Sequence, residues 1–258
     1  MNGLRADLQH ALLALQAAGE ILRRHAAAKV PFELKDGWSP VTAADREVDA
    51  LLRDLLPGPG DGWLSEESDD DETRLARGRV WIVDPIDGTR AFVAGRPEYS
   101  VSIGLCVDGE PVLGAVGNPA TGVIVAGGPG LGVVVEGSPQ LAWRGSGGAL
   151  RVLASRSEQR RGEWAQHERN GVEVLPMGSV AYSLALVAAG AADATWTLQA
   201  KHEWDVAAGT ALVRAAGGEV WLPSGGPVRW NRRSPRFPSF AASGPGHRPR
   251  AEAALSAT

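Results

Sequence analysis

The chain has 258 residues and a formal net charge of −4 at pH 7; 44% of its residues are hydrophobic and 22% are charged. This composition is typical of globular proteins and excludes disorder of the whole chain. The negative net charge argues against a protein that wraps a nucleic acid polymer, because binding a phosphate backbone needs clustered cations. The length is near the upper limit for a single hydrophobic core, so one large domain or two closely packed lobes are both possible.

No targeting or membrane-spanning segment is predicted. The segment before residue 30 is rich in leucine and alanine but is interrupted by charges such as Arg5, Asp7 and Glu20. It therefore lacks the apolar core of a signal peptide, and no stretch approaches the roughly 20 apolar residues that span a bilayer. We expect a cytoplasmic protein. The single cysteine, Cys106, lies in an apolar run and is interpreted as a buried strand residue.

Two helices are predicted before residue 60. Apolar residues recur every three or four positions between Leu4 and Leu22, which is typical of an amphipathic helix, and Pro31 marks its end. Residues 35–40 are interpreted as a loop because glycine and proline interrupt them. Thr42 then has the pattern of a helix N-cap, with Asp45 as the acidic residue three positions later.

Strands dominate the middle of the chain, and strands alternate with helices after it. The predicted strands of the middle are 62–64, 80–83, 99–107, 112–116 and 123–126. In the second half we predict strands at 151–154, 173–175, 192–198, 219–222 and 240–242, helices at 179–189 and 205–216, and a fraying tail. The glycine-rich region 137–148 separates the two halves, so we predict an α+β lobe over 1–145 and an α/β lobe over 146–258.

The most informative segment is Asp84-Pro85-Ile86-Asp87-Gly88-Thr89, which follows an apolar run. Carboxylates at the end of a buried strand are costly unless something pairs with them, and two of them this close favour a hard cation. Gly88 allows close approach of the backbone, and free N–H groups at a helix start suit a phosphate. A structural turn is the alternative, because Asp, Pro and Gly are common turn residues.

Three further acidic sites follow the same pattern of acid beside an apolar element. Glu66 and Glu67 follow a short predicted strand, and Asp205 and Asp45 lie at predicted helix starts. Each has a simpler explanation, namely a solvated surface for the glutamates and a helix cap for the aspartates. His167 and His202 are interpreted as structural, since no second histidine lies at ligand spacing.

These blocks together resemble the inositol monophosphatase superfamily over about residues 34–218. That group includes inositol monophosphatases, fructose-1,6-bisphosphatases and 3′(2′),5′-bisphosphate nucleotidases of the CysQ type. The resemblance rests on the Asp84–Thr89 block, preceded by Glu66-Glu67-Ser68 and followed by Trp204-Asp205. It implies a layered αβαβα fold, a metal-dependent phosphoric monoester hydrolase with two or three Mg²⁺ per site, lithium sensitivity and a homodimer.

The resemblance also implies roles for individual residues. Glu66, Asp84 and the carbonyl of Ile86 would bind a first Mg²⁺, and Asp84, Asp87 and Asp205 a second. Asp45 and Thr89 would activate the attacking water, with Glu67 behind them. The implied substrate contacts are Gly88, Thr89, Gly178, Ser179 and Asp205.

Leu198 departs from the inositol monophosphatases, which carry a substrate-binding glutamate at this position, seven residues before Asp205. The blocks Pro40–Asp45 and Leu64–Glu67 also resemble the CysQ-type branch most closely. We therefore expect a nucleoside 3′(2′),5′-bisphosphate as substrate, with Lys201 and the basic stretch 229–236 as candidate partners of a second phosphate. Phosphates of inositol, histidinol or fructose are the alternatives within the superfamily, and an inactive metal-binding homologue is the alternative without catalysis. A haloacid-dehalogenase-type phosphatase is disfavoured, because two residues separate Asp84 from Asp87 where that class has one.

Overall fold

The computed structural model describes residues 2–28, 32–35, 39–144, 148–167 and 171–256. The predicted helix end at Pro31, the middle of the predicted loop (36–38) and the predicted lobe boundary between residues 145 and 146 lie outside these ranges. The division into two lobes therefore stays a prediction. Among the described helices, none combines the length and the apolar character needed to cross a bilayer.

The two N-terminal helices are confirmed, whereas the loop between them is partly wrong. The helices are α1 (Asn2–Ala28) and α2 (Ala43–Leu55), and a short antiparallel pair, β1 (Phe32–Lys35) and β2 (Ser39–Thr42), precedes α2. Residues Lys35, Ser39 and Pro40 of the predicted loop thus belong to strands. A two-stranded ribbon consists only of edge strands, where proline is tolerated.

The larger sheet contains all five strands predicted for the middle of the chain and one that was missed. Its members are β3 (Gly62–Ser65), β4 (Arg79–Asp87), β5 (Ser100–Val107), β6 (Glu110–Asn118), β7 (Val123–Gly128) and β8 (Gly132–Glu136). They lie in chain order; β3 and β4 are parallel and the other neighbours antiparallel. The missed strand β8 is largely exposed at the sheet edge, so it lacks the apolar alternation that marks a half-buried strand.

The second sheet is built from the C-terminal half. It contains β9 (Leu150–Ser155), β10 (Val172–Met177), β11 (Ala194–Thr197), β13 (Glu219–Trp221) and β15 (Phe240–Ser243) in the order β10-β9-β11-β15-β13. A separate pair joins β12 (Lys201–His202) to β14 (Arg236–Phe237). The helices are the short α3 (Thr89–Val93) and α4 (Arg156–Arg160), then α5 (Val180–Ala188), α6 (Glu203–Ala215) and α7 (Arg248–Ser256).

The predicted fraying of the C-terminal tail is wrong for residues 248–256. They form α7, whose Ala251 and Ala254 are buried in an apolar cluster with Trp164 and Trp196. The proline and arginine content of this segment suggested fraying. Burial of two small alanines against large aromatic rings stabilises the helix instead, and this long-range contact has no local signature.

Three apolar cores separate the layers, so the predicted αβαβα arrangement is confirmed. The first core joins α1 and α2 to one face of the larger sheet. The second joins the opposite face of that sheet to α5 and α6, and also includes buried residues of the smaller sheet. The third lies between the smaller sheet and α7. Helix α6 therefore lies between the two sheets.

Glycines allow α6 to approach the larger sheet closely. A Cβ atom at Gly114 of β6 would lie 2.1 Å from the carbonyl oxygen of Ala208 in α6, and one at Gly104 of β5 would lie 3.0 Å from the Ala208 nitrogen. Only glycine fits such an approach of strand and helix backbones. This contact determines how near the start of α6 comes to the carboxyl end of β4.

We predict that Gly114→Ala lowers the free energy of unfolding by about 2 kcal/mol, because the added methyl group overpacks the interface between sheet and helix. Urea denaturation checks the value. Gly3→Ala is the matched control: it lies in α1 with no atom within 4 Å of the new Cβ, so it should leave stability unchanged or raise it slightly. Equal stability of the two variants would contradict the close packing of α6.

Candidate active site

The end of β4 carries two aspartates on a distorted strand. The sequence suggested a turn after Asp84, but β4 continues to Asp87 and its register against β5 shifts between these residues. Asp84 lies opposite Ser102 and Asp87 opposite Ser100. A bulge of this kind redirects side chains without ending the strand. Both carboxylates are buried, with exposed fractions of 1% and 9%.

Helix α6 brings a third carboxylate to the same place. Asp205 lies in its first turn, and its Oδ2 accepts a hydrogen bond of 2.8 Å from the backbone N–H of His202. One oxygen from each of Asp84, Asp87 and Asp205 can be chosen so that all three lie within 4.8 Å of one another. Asp205 therefore both caps its helix and completes an acidic cluster.

The cluster is electrostatically unfavourable without a cation. Burial, together with the charge of nearby Glu66, raises the pKa of Asp84 well above its usual value. Burial and the charge of Asp205 raise the pKa of Asp87 to about 7. In the part of the chain that the structure describes, Oδ2 of Asp84 is buried without a hydrogen-bond partner. Oxygen ligands with excess negative charge and a buried free oxygen fit a divalent cation.

The Glu66–Glu67 segment reaches this edge because β3 is parallel to β4 and its last residue, Ser65, pairs with Val83, the residue before Asp84. Its geometry is fixed by Asp49, which sequence analysis missed. The Asp49 carboxylate accepts hydrogen bonds of 2.5 Å from the hydroxyls of Ser65 and Ser68, on either side of the two glutamates. Asp49 lies four residues after Asp45, so both face the same side of α2. The four-residue spacing between Asp45 and Asp49 was the feature of the sequence that could have identified Asp49.

Asp45 and Thr89 lie beside the cluster. Asp45 Oδ1 is 3.5 Å from Thr89 Oγ1, which donates a 2.9 Å hydrogen bond to the carbonyl oxygen of Ile86. Asp45 Oδ2 accepts from the N–H and the hydroxyl of Thr42, both at 2.7 Å, and the Asp45 N–H donates to Thr42 Oγ1 at 3.3 Å, which completes the predicted capping box. Burial raises the pKa of Asp45 to about 6 in spite of these bonds, and the charge of Glu67 acts in the same direction.

Gly88, Gly178 and Ser179 lie next to Asp87. Gly88 has φ +92°, and a Cβ there would be 2.8 Å from the carbonyl oxygen of Glu98; at Gly178 it would be 2.6 Å from the same atom. Neither position accepts a side chain without backbone movement. The Ser179 hydroxyl and the Ala181 N–H each donate a 2.6 Å hydrogen bond to Asp87 Oδ2. In this structure Ser179 therefore contacts a cluster residue directly.

A cavity of about 430 Å³ opens from the cluster. It is lined by Asp87, Arg90, Ser155, Ser157, Glu158, Arg161, Gly178, Val180, Gln199, Lys201 and Asp205. Of the two candidate partners for a second phosphate, only Lys201 is among these residues. In the basic stretch 229–236, Arg232 pairs with Glu203 at 3.4 Å and Arg233 with Glu72 at 3.0 Å.

His167 and His202, which the sequence analysis interpreted as structural, make contacts of that kind. The Nδ1 atom of His167 lies 3.2 Å from the carbonyl oxygen of Ala254, and its ring packs against Trp164 and Trp196. The ring of His202 stacks on Trp204 with centroids 4.4 Å apart. Cys106 is buried in β5, as predicted.

Comparison with known proteins identifies the class. The model of the inositol monophosphatase family matches residues 4–255. The 3′-phosphoadenosine 5′-phosphate phosphatase of Mycobacterium leprae is 34% identical over 251 residues, which cover 92% of this chain and 89% of that protein. The inositol-1-monophosphatase of the same organism is 37% identical over 211 residues, covering 73% and 70% of the two chains.

A solved structure agrees with the sequence matches. The inositol monophosphatase of Thermotoga maritima superposes with a TM-score of 0.81 at 26% identity, covering 99% of this chain and 97% of that one. The fold and the acidic cluster thus define a metal-dependent hydrolase of phosphoric monoesters. The chain belongs to the inositol monophosphatase family, which confirms the resemblance found in the sequence.

The raised pKa values predict how stability depends on pH and metal. A carboxyl group whose pKa is raised by folding stabilises the protein at low pH, and this contribution is lost as pH rises through the raised value. For Asp87 the loss falls between about pH 4 and pH 7. We expect the free energy of unfolding in chelator to fall by roughly 3 kcal/mol from pH 5 to pH 8.

Excess Mg²⁺ should restore stability at pH 8 much more than at pH 5, because the cation competes with protons for the same oxygens. Urea denaturation at both pH values, with and without Mg²⁺, provides the four measurements. Equal stabilisation by Mg²⁺ at pH 5 and pH 8 would contradict the assignment of the buried cluster as the metal site.

Proposed function

We propose that this phosphatase hydrolyses the 3′- or 2′-phosphate of a nucleoside 3′(2′),5′-bisphosphate with Mg²⁺. The observation that carries the proposal is the arrangement of the acidic cluster, the Asp45–Thr89 pair beside it and the cavity that opens from it. The cluster supplies metal ligands, the pair supplies a proton acceptor, and the cavity supplies space for the rest of the substrate.

Two or three Mg²⁺ ions are proposed. The candidate ligands are Glu66, Asp84, Asp87, Asp205 and the carbonyl oxygen of Ile86, an all-oxygen set of the kind Mg²⁺ prefers. The unpartnered Oδ2 of Asp84 supports this assignment. Bound divalent cations would supply charge stabilisation for an in-line displacement at phosphorus and a lowered pKa for water.

Asp45 and Thr89 are proposed to orient the attacking water and accept its proton. A hydroxyl donates only one proton, so the donation from Thr89 to Ile86 leaves lone pairs on Oγ1 that can accept from water. Asp45, whose raised pKa is about 6, is ionised at neutral pH and still has a useful proton affinity. The negative charge of Glu67 raises the proton affinity of Asp45.

The phosphate to be hydrolysed is proposed to bind at Gly88 and Thr89. The absence of a side chain at Gly88 allows an anion to approach the backbone, and the N–H groups at a helix start favour negative charge. Ser179 is proposed to act mainly by holding Asp87 in place, and Gly178 by leaving the cavity open beside it. The predicted homodimer and cytoplasmic location stay predictions.

The substrate preference rests on Leu198 and on the cavity wall. Leu198 is partly buried and packs against the apolar cluster behind the smaller sheet. A leucine side chain offers no acceptor for a substrate hydroxyl. The nearby Glu158 carboxylate already accepts three N–H bonds. A relative named for 3′-phosphoadenosine 5′-phosphate matches most of the chain, which also favours a nucleotide. Inositol 1-phosphate is the second candidate, because another relative is named for it.

We predict a higher kcat/KM for adenosine 3′,5′-bisphosphate than for inositol 1-phosphate, with turnover abolished by chelator. A site that lacks the acceptor for a substrate hydroxyl loses much of its affinity for polyols. Phosphate release under identical Mg²⁺ concentrations measures both values. A preference for inositol 1-phosphate would overturn the substrate assignment, and full activity in chelator would overturn the metal mechanism.

A second prediction separates metal binding from proton transfer. Asp87→Asn should lose more than about 10²-fold in rate together with Mg²⁺ affinity, because a ligand charge is removed. Thr89→Ala should lose about 10²-fold in kcat with Mg²⁺ affinity retained. Calorimetric titration with Mg²⁺ and steady-state kinetics distinguish the two losses.

Asp54→Asn is the matched control, since Asp54 is an exposed carboxylate on α2. It should behave like the unmodified protein in both measurements. Loss of Mg²⁺ affinity in Thr89→Ala would show that Thr89 supports the metals and not the water.

A further inference from the structure

The cavity beside the acidic cluster has a cationic wall. Among its lining residues are Arg90, Arg161 and Lys201, which lie in three different parts of the chain. The carboxylates Asp87 and Asp205 lie at its metal end. A substrate that fills this space therefore meets the metal cluster at one end and positive charge along the wall.

Lys201 is the most direct source of that charge. It lines the cavity together with the carboxylates Asp87 and Asp205, which attract its charge, and within the described residues its ammonium group has no hydrogen bond or ion pair. Divalent cations on the aspartates would remove this attraction, because the carboxylate charge is then neutralised. Lys201 would then face no net negative charge across the cavity, so an anionic substrate group would be its partner.

The segment that carries Lys201 is held from both sides. On one side Glu158, which is 1% exposed, accepts hydrogen bonds on Oε1 from the N–H groups of Leu198 (3.1 Å) and Gln199 (3.0 Å). The Trp164 indole N–H donates to Oε2 at 3.0 Å. On the other side, Lys201 in β12 pairs with Phe237 in β14. A buried carboxylate and a strand pair thus fix the backbone of this cavity wall.

Arg161 supplies a second, weaker cation at the rim. It is about half exposed and pairs with Glu163 at 2.6 Å, while Gln199 donates a 3.3 Å hydrogen bond to the same glutamate. The pairing compensates part of its charge, and solvent screens the rest. Its contribution to anion binding should therefore be smaller than that of Lys201.

We propose that Lys201, supported by Arg161, binds the second phosphate of a bisphosphorylated substrate and thereby makes the enzyme prefer bisphosphates to monophosphates. This inference rests on the proposed phosphatase function and names the residues that set its substrate class. Glu158 acts through the backbone of residues 198 and 199 and is a positioning residue.

The test compares two substrates with the same scissile bond, adenosine 3′,5′-bisphosphate and adenosine 3′-phosphate. In Lys201→Met the ratio of their kcat/KM values should fall about tenfold, since the variant keeps most of the length of the side chain and removes its charge. Lys201→Arg should retain most of the ratio. Arg161→Gln should lower it by about threefold, and Arg160→Gln, at the exposed neighbouring position, should leave it unchanged.

A binding measurement accompanies the kinetics. Adenosine 5′-phosphate carries only the second phosphate. Calorimetry with Mg²⁺ and saturating inorganic phosphate, which would occupy the metal end of the cavity, measures its dissociation constant apart from turnover. We expect adenosine 5′-phosphate to bind at least about fivefold more weakly to Lys201→Met than to Lys201→Arg, because the methionine variant loses one charge-assisted contact. An equal loss for both substrates, with unchanged binding of adenosine 5′-phosphate, would overturn the proposal, because Lys201 would then act on the cluster. Failure of the unmodified protein to hydrolyse either nucleotide would instead overturn the proposed substrate.

Discussion

The mutual repulsion of Asp84, Asp87 and Asp205 is the constraint on which the rest of the site depends. Three carboxylates are held close together in a region where burial already disfavours charge. Hydrogen bonds offset only part of this cost, for example those from Ser179 and Ala181 to Asp87. The fold must therefore hold the carboxylates together by packing energy from elsewhere, and cations must supply the remaining compensation.

The layered architecture provides that packing. The cluster combines the end of β4 in the larger sheet with the start of α6, more than a hundred residues later. Helix α6 reaches this position because Gly104 and Gly114 let it lie almost against the backbones of β5 and β6. The start of the helix is fixed by Glu203, which is fully buried and accepts hydrogen bonds from the N–H groups of Asn231 and Arg232. Residues of the basic stretch 229–236 thus hold Glu203 in place, and Glu203 positions Asp205 two residues later.

Local signals made much of this predictable. The Thr42–Asp45 capping box, the apolar strands and the Asp84–Thr89 block all lie within a few residues, where spacing and residue type carry the information. The family was recognisable for the same reason. Features that depend on contacts distant in sequence were not predictable, such as the helix at 248–256, the exposed strand β8 and the carboxylate of Glu158. The pairing of β12 with β14, which holds Lys201 in the cavity wall, also belongs to this group.

The hydrogen bonds between Asp87 and the start of α5 have a consequence for synthesis of the chain. Residues 62–136, which form the larger sheet, leave the ribosome before Ser179, Ala181 and Asp205 exist. A nascent chain of that length carries Asp84 and Asp87 without their donors and without the third carboxylate. Domains generally form in the order in which they are translated, yet here the acidic cluster is completed only by the later half. The three carboxylates can therefore come together only after α6 has been translated.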